Sequence, residues 1–139
     1  MSNLIDQQLK RNDCGISAIK TIFNLLEVDI SRDVIESEIH LDQEGARLDH
    51  IQAFFVKYGF STQYKLLDLN SLNGNTKELT DNLPCITPIK SKVGLHYIVL
   101  ESLKGNKIKV LDPSKSSSYT LSLQAVSYTH LRAHETCGH

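Results

Sequence analysis

Three short stretches of the chain carry side chains able to act on one another. Asn12-Asp13-Cys14-Gly15 opens an apolar run, Gly94-Leu95-His96-Tyr97 leads into another, and Leu111-Asp112-Pro113 ends a third. A thiol, an imidazole and a carboxylate are the working parts of nucleophilic acyl transfer. The imidazole takes the thiol proton, and the carboxylate holds the ring in the tautomer and direction the step needs. Each residue alone also has an ordinary reading. Cys is often a small buried hydrophobe, and a lone His at a strand start is often structural. Gln8, six positions before Cys14, taken alone reads as a surface amide.

The elements that must position these groups can be read from patterning. Asn12 and Asp13 are favourable N-cap residues. After them Ile16, Ile19, Phe23 and Leu26 fall at helical spacing, with Ile22 and Leu25 widening the stripe. Cys14 is therefore expected in the first turn of a buried helix, where unpaired N–H groups and the dipole stabilise a thiolate. Gly15 is expected to let a backbone or a substrate approach the sulfur. Tyr97-Ile98-Val99-Leu100 and Ile108-Lys109-Val110-Leu111 read as paired strands, with Pro113 ending the second ladder.

The hairpin register then decides whether His96 and Asp112 share a face. A two-residue turn at Gly105-Asn106 pairs positions summing to 211 and sets Asp112 opposite Val99, on the wrong face. The expectation is that this simple turn is not used. An odd-length loop over 102–106, pairing His96 directly with Asp112, or a compensating bulge is expected instead.

The remaining sequence reads as α+β. Ser31 caps a short helix containing Val34, Ile35 and Ile39, residues 42–47 form a loop, and a third helix covers 48–58 until Gly59 stops it. A strand is expected over 60–66. Residues 67–82 are polar and ambiguous, with a turn at Asn73-Gly74-Asn75. Further strands are expected near 85–90, 95–101, 107–112 and 119–123. Cys85 reads as a core residue, and His40 and His50 as solvated.

With 139 residues, one domain is expected. The net charge of -1 gives no electrostatic basis for binding nucleic acid or an anionic membrane. No segment reads as a transmembrane helix or a signal peptide. Three Cys without a secretory signal point to reduced thiols and a cytosolic setting. No cofactor is expected. The end of the chain changes character. His130, His134, Cys137 and His139 lie close together, yet their spacing matches no zinc motif. Residues 127–139 resemble translated adaptor sequence and are expected to be irregular and to bind no metal.

Gln8, then Asp13-Cys14-Gly15 and a long apolar helix, then Gly45-Ala46 before a helix ending at Gly59-Phe60, then His96-Tyr97-Ile98-Val99-Leu100, then Asp112-Pro113 follow one another along the chain. In that order and at those spacings, over about residues 4–122, the sequence resembles the papain-like cysteine peptidase domain that processes bacteriocin leader peptides. That domain usually forms the N-terminus of peptidase-containing ABC transporters.

The resemblance implies a papain-like α+β fold with N-terminal helices packed on an antiparallel sheet. It implies Cys14 as nucleophile, His96 as base, Asp112 as orienter and Gln8 as oxyanion donor, with the Cys14 N–H as companion. The implied reaction is removal of a leader after a double-glycine-type site. The implied partners are the precursor's leader peptide and the transmembrane and ATP-binding domains of an exporter, at the cytoplasmic face of a bacterial inner membrane. It further implies a peptidase domain over 1–126 that lacks a closing element at its C-terminal end. Two other readings stay open at this point. One is a silent leader-binding module, against which Cys14 speaks. The other is a papain-fold thiol amidase or acyltransferase.

Overall fold

In the computed structural model, residues 4–10, 12–43, 45–67, 77–91, 94–123 and 133–138 are described. The apolar stripe after Asp13 becomes α1 (Cys14–Leu25), and Ile16, Ile19, Ile22 and Phe23 are buried on it. Ser31 accepts a hydrogen bond from the Val34 N–H and so caps α2 (Arg32–Glu38). α3 (Leu48–Lys57) ends as Gly59 takes a positive φ of 90°, which a side chain would resist. Phe23 of α1 stacks on Phe55 of α3 at 5.3 Å and meets Phe54 and Phe60 edge-on. These contacts lock the two helices together.

The residues expected as a loop over 42–47 include a two-stranded hairpin of β1 (Leu41–Asp42) and β2 (Gly45–Ala46). The main sheet contains β3 (Thr62–Leu67), β4 (Cys85–Ser91), β5 (Gly94–Lys104), β6 (Lys107–Leu111), β7 (Tyr119–Ser122) and β8 (Ala133–Gly138), in the order β3-β8-β4-β5-β6-β7. Every adjacent pair in it is antiparallel. A one-turn helix, α4 (Lys77–Thr80), precedes β4. The Asn73-Gly74-Asn75 turn lies outside the described residues.

Side chains on alternating positions divide the core in two. Ile86, Tyr97, Val99 and Leu111 pack with the helices. Cys85, Ile98, Leu100, Ile108 and Val110 form the opposite face with Leu79 of α4. Cys85 is fully buried there, as expected of a core residue.

Two expectations need correction. The first is the hairpin. Lys104 pairs with Lys107 around a two-residue turn, and Gly105 sits at φ 64° where a hairpin loop takes Gly. The tight turn expected to be avoided is therefore present, and His96 is not directly opposite Asp112. The expected bulge supplies the correction of face. Ser102 pairs with Lys109, but Leu100 pairs with Val110, leaving Glu101 as the extra residue. Continuing that register sets Asp112 opposite Ile98, on the same face as His96.

The second concerns the chain end, expected to be irregular. Ala133–Gly138 forms a strand that pairs with β3 along its length and with Cys85 and Ile86 of β4. Two strand edges that would otherwise be open are satisfied by this insertion. Residues 127–132 and 139, and the side chains of 133–138, lie outside what is described, so the expectation about metal falls there as well.

Gly15 lets neighbouring segments of the chain approach closely. A Cβ on it would stand 2.9 Å from the Ala46 Cβ and 3.3 Å from the Tyr97 ring. The Ala46 methyl cannot rotate away, so the start of α1 would have to lift from β2 and β5. Gly15→Ala is expected to destabilise the domain by about 1–3 kcal/mol through overpacking, outweighing a helix-propensity gain of at most ~1 kcal/mol. Denaturant unfolding checks this, and an unchanged midpoint would contradict it.

Candidate active site

Cys14 is the first residue of α1, 4% exposed, and its Sγ accepts a hydrogen bond from the Tyr97 N–H at 3.4 Å. The β5–β6 ladder stops at the Val99–Leu111 pair. Beyond that point β6 no longer flanks β5, and the sulfur occupies an acceptor position at Tyr97. Tyr97 is itself fixed by its hydroxyl, which donates to the Ala46 carbonyl at 2.8 Å. The Cys14 thiol thus rests on three elements, α1, β2 and β5.

His96 adjoins it. Its Nε2 meets Asp112 Oδ1 at 2.6 Å. Asp112 is held as a carboxylate. Burial works to raise its pKa, but the hydrogen bonds from His96 and from the Ser114 N–H and hydroxyl, together with the imidazolium charge, bring it down to about 2. An ionised carboxylate only accepts, so Nε2 carries the proton, and Nδ1 is left to serve Cys14. Burial also works against the charged ring. The hydrogen bonds to Asp112 and Cys14 and the charges of both outweigh it, and hold the His96 pKa at about 9.

Asp112 is oriented in turn. Oδ1 accepts from the Ser114 N–H at 2.9 Å and the Ser114 hydroxyl at 2.7 Å, while Oδ2 accepts from the Tyr119 hydroxyl at 3.1 Å. Burial, the Asp112 charge and this hydrogen bond together push the Tyr119 phenol well above its usual pKa, so it stays a donor. Sequence reading missed both helpers. Asp112-Pro113-Ser114 does carry a signal for Ser114, since an Asp accepting from the N–H two residues on is an Asx-turn. Tyr119 has no local signature.

Gln8 lies beside this group. Its backbone N–H donates to the Pro113 carbonyl at 2.9 Å, next to Asp112. Its side-chain Nε2 donates to the Lys10 carbonyl at 2.9 Å, and Oε1 is buried with no partner among the described residues. Among the described residues, one Nε2 proton is engaged in this way. Asp13 departs from expectation. Its side chain makes no cap bond to α1. Instead it turns back and accepts from the N–H groups of Leu9 and Lys10. The expected helix start is correct, but its capping is not.

His50 is half-buried and His40 exposed, and neither joins the group. Among the described residues, no cluster of His, Cys, Asp and Glu could hold a metal ion. A groove of about 450 Å³ opens beside α1, with Lys10, Asp13, Ile16, Glu36 and Glu38 in its walls. None of Cys14, His96, Asp112 or Gln8 lines it, so it lies next to that group rather than around it.

The paired titrations predict a pH profile. The charged His96 and the Asp112 carboxylate support each other, so the imidazolium form should be lost as pH rises through about 9. That limb is a property of the coupled set rather than of one residue. For folding, the His96 contribution is complete below its unfolded pKa and lost on rising through about 9. The Asp112 contribution is complete above its unfolded pKa and lost on falling through about 2. Asp112→Asn is expected to move the alkaline limb of peptide cleavage, which needs the imidazolium as proton donor to the leaving amine, downward. An unmoved limb would show that Asp112 does not hold the imidazolium.

The model of the Peptidase C39 family matches residues 2–129. Among solved structures, the peptidase domain of ComA from Streptococcus, a bi-functional ABC transporter involved in quorum sensing, is similar at TM-score 0.78 and 19% identity. That match covers 95% of this chain and 93% of the other. A double-glycine-motif protease from an AMS/PCAT transporter, solved in complex with the leader peptide, is similar at 0.74 and 13%, covering 95% and 86%. The N-terminal C39-like domain of a toxin-secretion ATP-binding protein from Vibrio parahaemolyticus is similar at 0.65 and 11%, covering 91% and 95%. At these identities the structures establish likeness of fold. No curated protein sequence matches the chain significantly.

Proposed function

The chain belongs to the peptidase C39 family, and we propose that it removes the leader of a precursor peptide after a double-glycine-type site, with Cys14 as nucleophile. The observation that carries this reading is the placement of His96 against both Cys14 and the Asp112 carboxylate. His96 Nδ1 takes the Cys14 proton, and the thiolate adds to the scissile carbonyl. The carbonyl oxygen becomes an oxyanion, which the remaining Gln8 Nε2 proton and the Cys14 N–H stabilise. The imidazolium gives its proton to the leaving amine as the C–N bond breaks, leaving a thioester. His96 then takes a proton from water, which adds to the thioester and releases the acid and the thiol.

The precursor's leader is the proposed substrate. The likeness to transporter domains supports the transmembrane and ATP-binding domains of an exporter as partners, and a place at the cytoplasmic face of the membrane. None of the described helices is long and apolar enough to cross a membrane. Incubation with synthetic precursors carrying a double-glycine site, followed by mass spectrometry, tests the reading. Cleavage after the second Gly is expected. Transfer to an added amine, or hydrolysis of small amides with no peptide cleavage, would instead assign a thiol acyltransferase or amidase.

A further inference from the structure

We infer that Arg32, acting through Asp13, is a positioning residue that holds the segment carrying Gln8 in register with Cys14. The inference rests on the reading of Gln8 as oxyanion donor. Asp13 is 2% exposed, and its carboxylate faces backward along the chain rather than into α1. Oδ2 accepts from the Leu9 N–H at 3.2 Å and Oδ1 from the Lys10 N–H at 3.0 Å. The Lys10 carbonyl is in turn the acceptor for Gln8 Nε2. The group that aims the Gln8 amide is therefore fixed by Asp13.

A buried carboxylate needs a counter-charge. Arg32, the first residue of α2, provides it, with Nη2 donating to Asp13 Oδ2 at 2.7 Å. The same guanidinium is anchored on its other nitrogens. Nη1 donates to the Ser17 hydroxyl at 2.8 Å and also to Asp6, and Nε donates to Glu36 at 2.9 Å. Asp6 lies in the same N-terminal segment, where its N–H donates to the Thr21 hydroxyl. One planar fork thus ties residues 6 and 13, on either side of Gln8, to α1 and α2. From the far side, Pro113 holds the Gln8 N–H. Without Arg32 the Asp13 carboxylate would lose its counter-charge and turn to water. The Leu9 and Lys10 amides would then be released, and the Gln8 amide with them. The thiol, His96 and Asp112 make none of these bonds and would keep their geometry.

Arg32→Met tests this in the whole chain, with three readouts. Turnover should fall on the order of 10- to 100-fold, the scale of a small misplacement of a reacting group, while KM changes by about twofold or less. Affinity for a peptide aldehyde, whose adduct places an oxyanion at the site, should fall in proportion to turnover. Alkylation of Cys14 by iodoacetamide, which develops no oxyanion, should be unchanged. On a Gln8→Ala background the Arg32→Met substitution should cost nothing further in turnover. Arg32→Lys, which retains the charge, should recover part of the loss and serves where the Met variant folds poorly. Equal losses on both backgrounds, or alkylation falling with turnover, would overturn the inference while leaving Gln8 in place. Full turnover in Gln8→Ala alone would instead remove the oxyanion role, and the inference with it.

Discussion

Replacement of Cys14 by Ala is expected to abolish precursor cleavage while the domain stays folded. Removing the nucleophile of a peptidase that works by covalent catalysis costs roughly 10⁶ in turnover, which puts the residual rate below detection by mass spectrometry. The fold should tolerate the change. Ala fits at the start of α1, and the lost contacts are the hydrogen bonds the sulfur makes with the Tyr97 N–H and with His96. Cys85→Ala provides the contrast, since that thiol is buried on the face of the sheet that packs with Leu79 of α4, opposite α1 and α3. Cleavage should survive it wherever the domain remains folded. Cleavage persisting in Cys14→Ala and disappearing in a folded Cys85→Ala would reverse the assignment.

Gln8→Ala is expected to lower turnover by about 10²–10³, the scale for loss of a single oxyanion donor. Alkylation of Cys14 should not change, because Gln8 makes no bond to the sulfur or to His96 in the described contacts. That combination separates the donor from the nucleophile–base pair. Its structural ground is the position of Gln8 between Pro113, which follows Asp112, and the segment that Asp13 clamps. Turnover of a good precursor unchanged by the substitution would leave the Cys14 N–H without its expected companion.

Cys14 and Asp112 of the candidate site were legible because each sits at a local signal, whereas Gln8 entered only through the resemblance. Cys14 follows two polar residues and starts a stripe, and Asp112 precedes a Pro at a strand end. The α+β class and the three N-terminal helices followed from periodicity together with cap and stop residues such as Ser31 and Gly59. What could not be read was set by partners distant in the chain. The Tyr97 N–H that faces the sulfur is a backbone group with no sequence mark. Arg32 carries no mark in the sequence, yet it is most of the way buried against Asp13 and Asp6. Asp13 looks like a cap because capping is the commoner local use of that residue. Here the longer-range pair with Arg32 wins, since a buried carboxylate is better served by a guanidinium and two amides than by one helix N–H. β8 was missed because nothing in its own residues announces a strand, and its pairing depends on edges supplied by β3 and β4.

The bulge at Glu101 places a counting rule on the chain. In an unbroken hairpin closed by a two-residue turn, partners sum to an odd number, so residues on a common face of opposite strands are separated by an odd number of positions. His96 and Asp112 are separated by 16, an even number, and one surplus residue is what reconciles the two. It follows that hairpin length and catalytic geometry are linked by parity. Loss of the surplus residue at Glu101 leaves an odd separation, which a regular ladder accommodates with the imidazole and carboxylate still together. Gain of a single residue between them also makes the separation odd, and then the bulge itself becomes the misfit. Length changes of one residue in this hairpin are thus accepted only if the bulge comes or goes with them, whereas changes of two leave it in place.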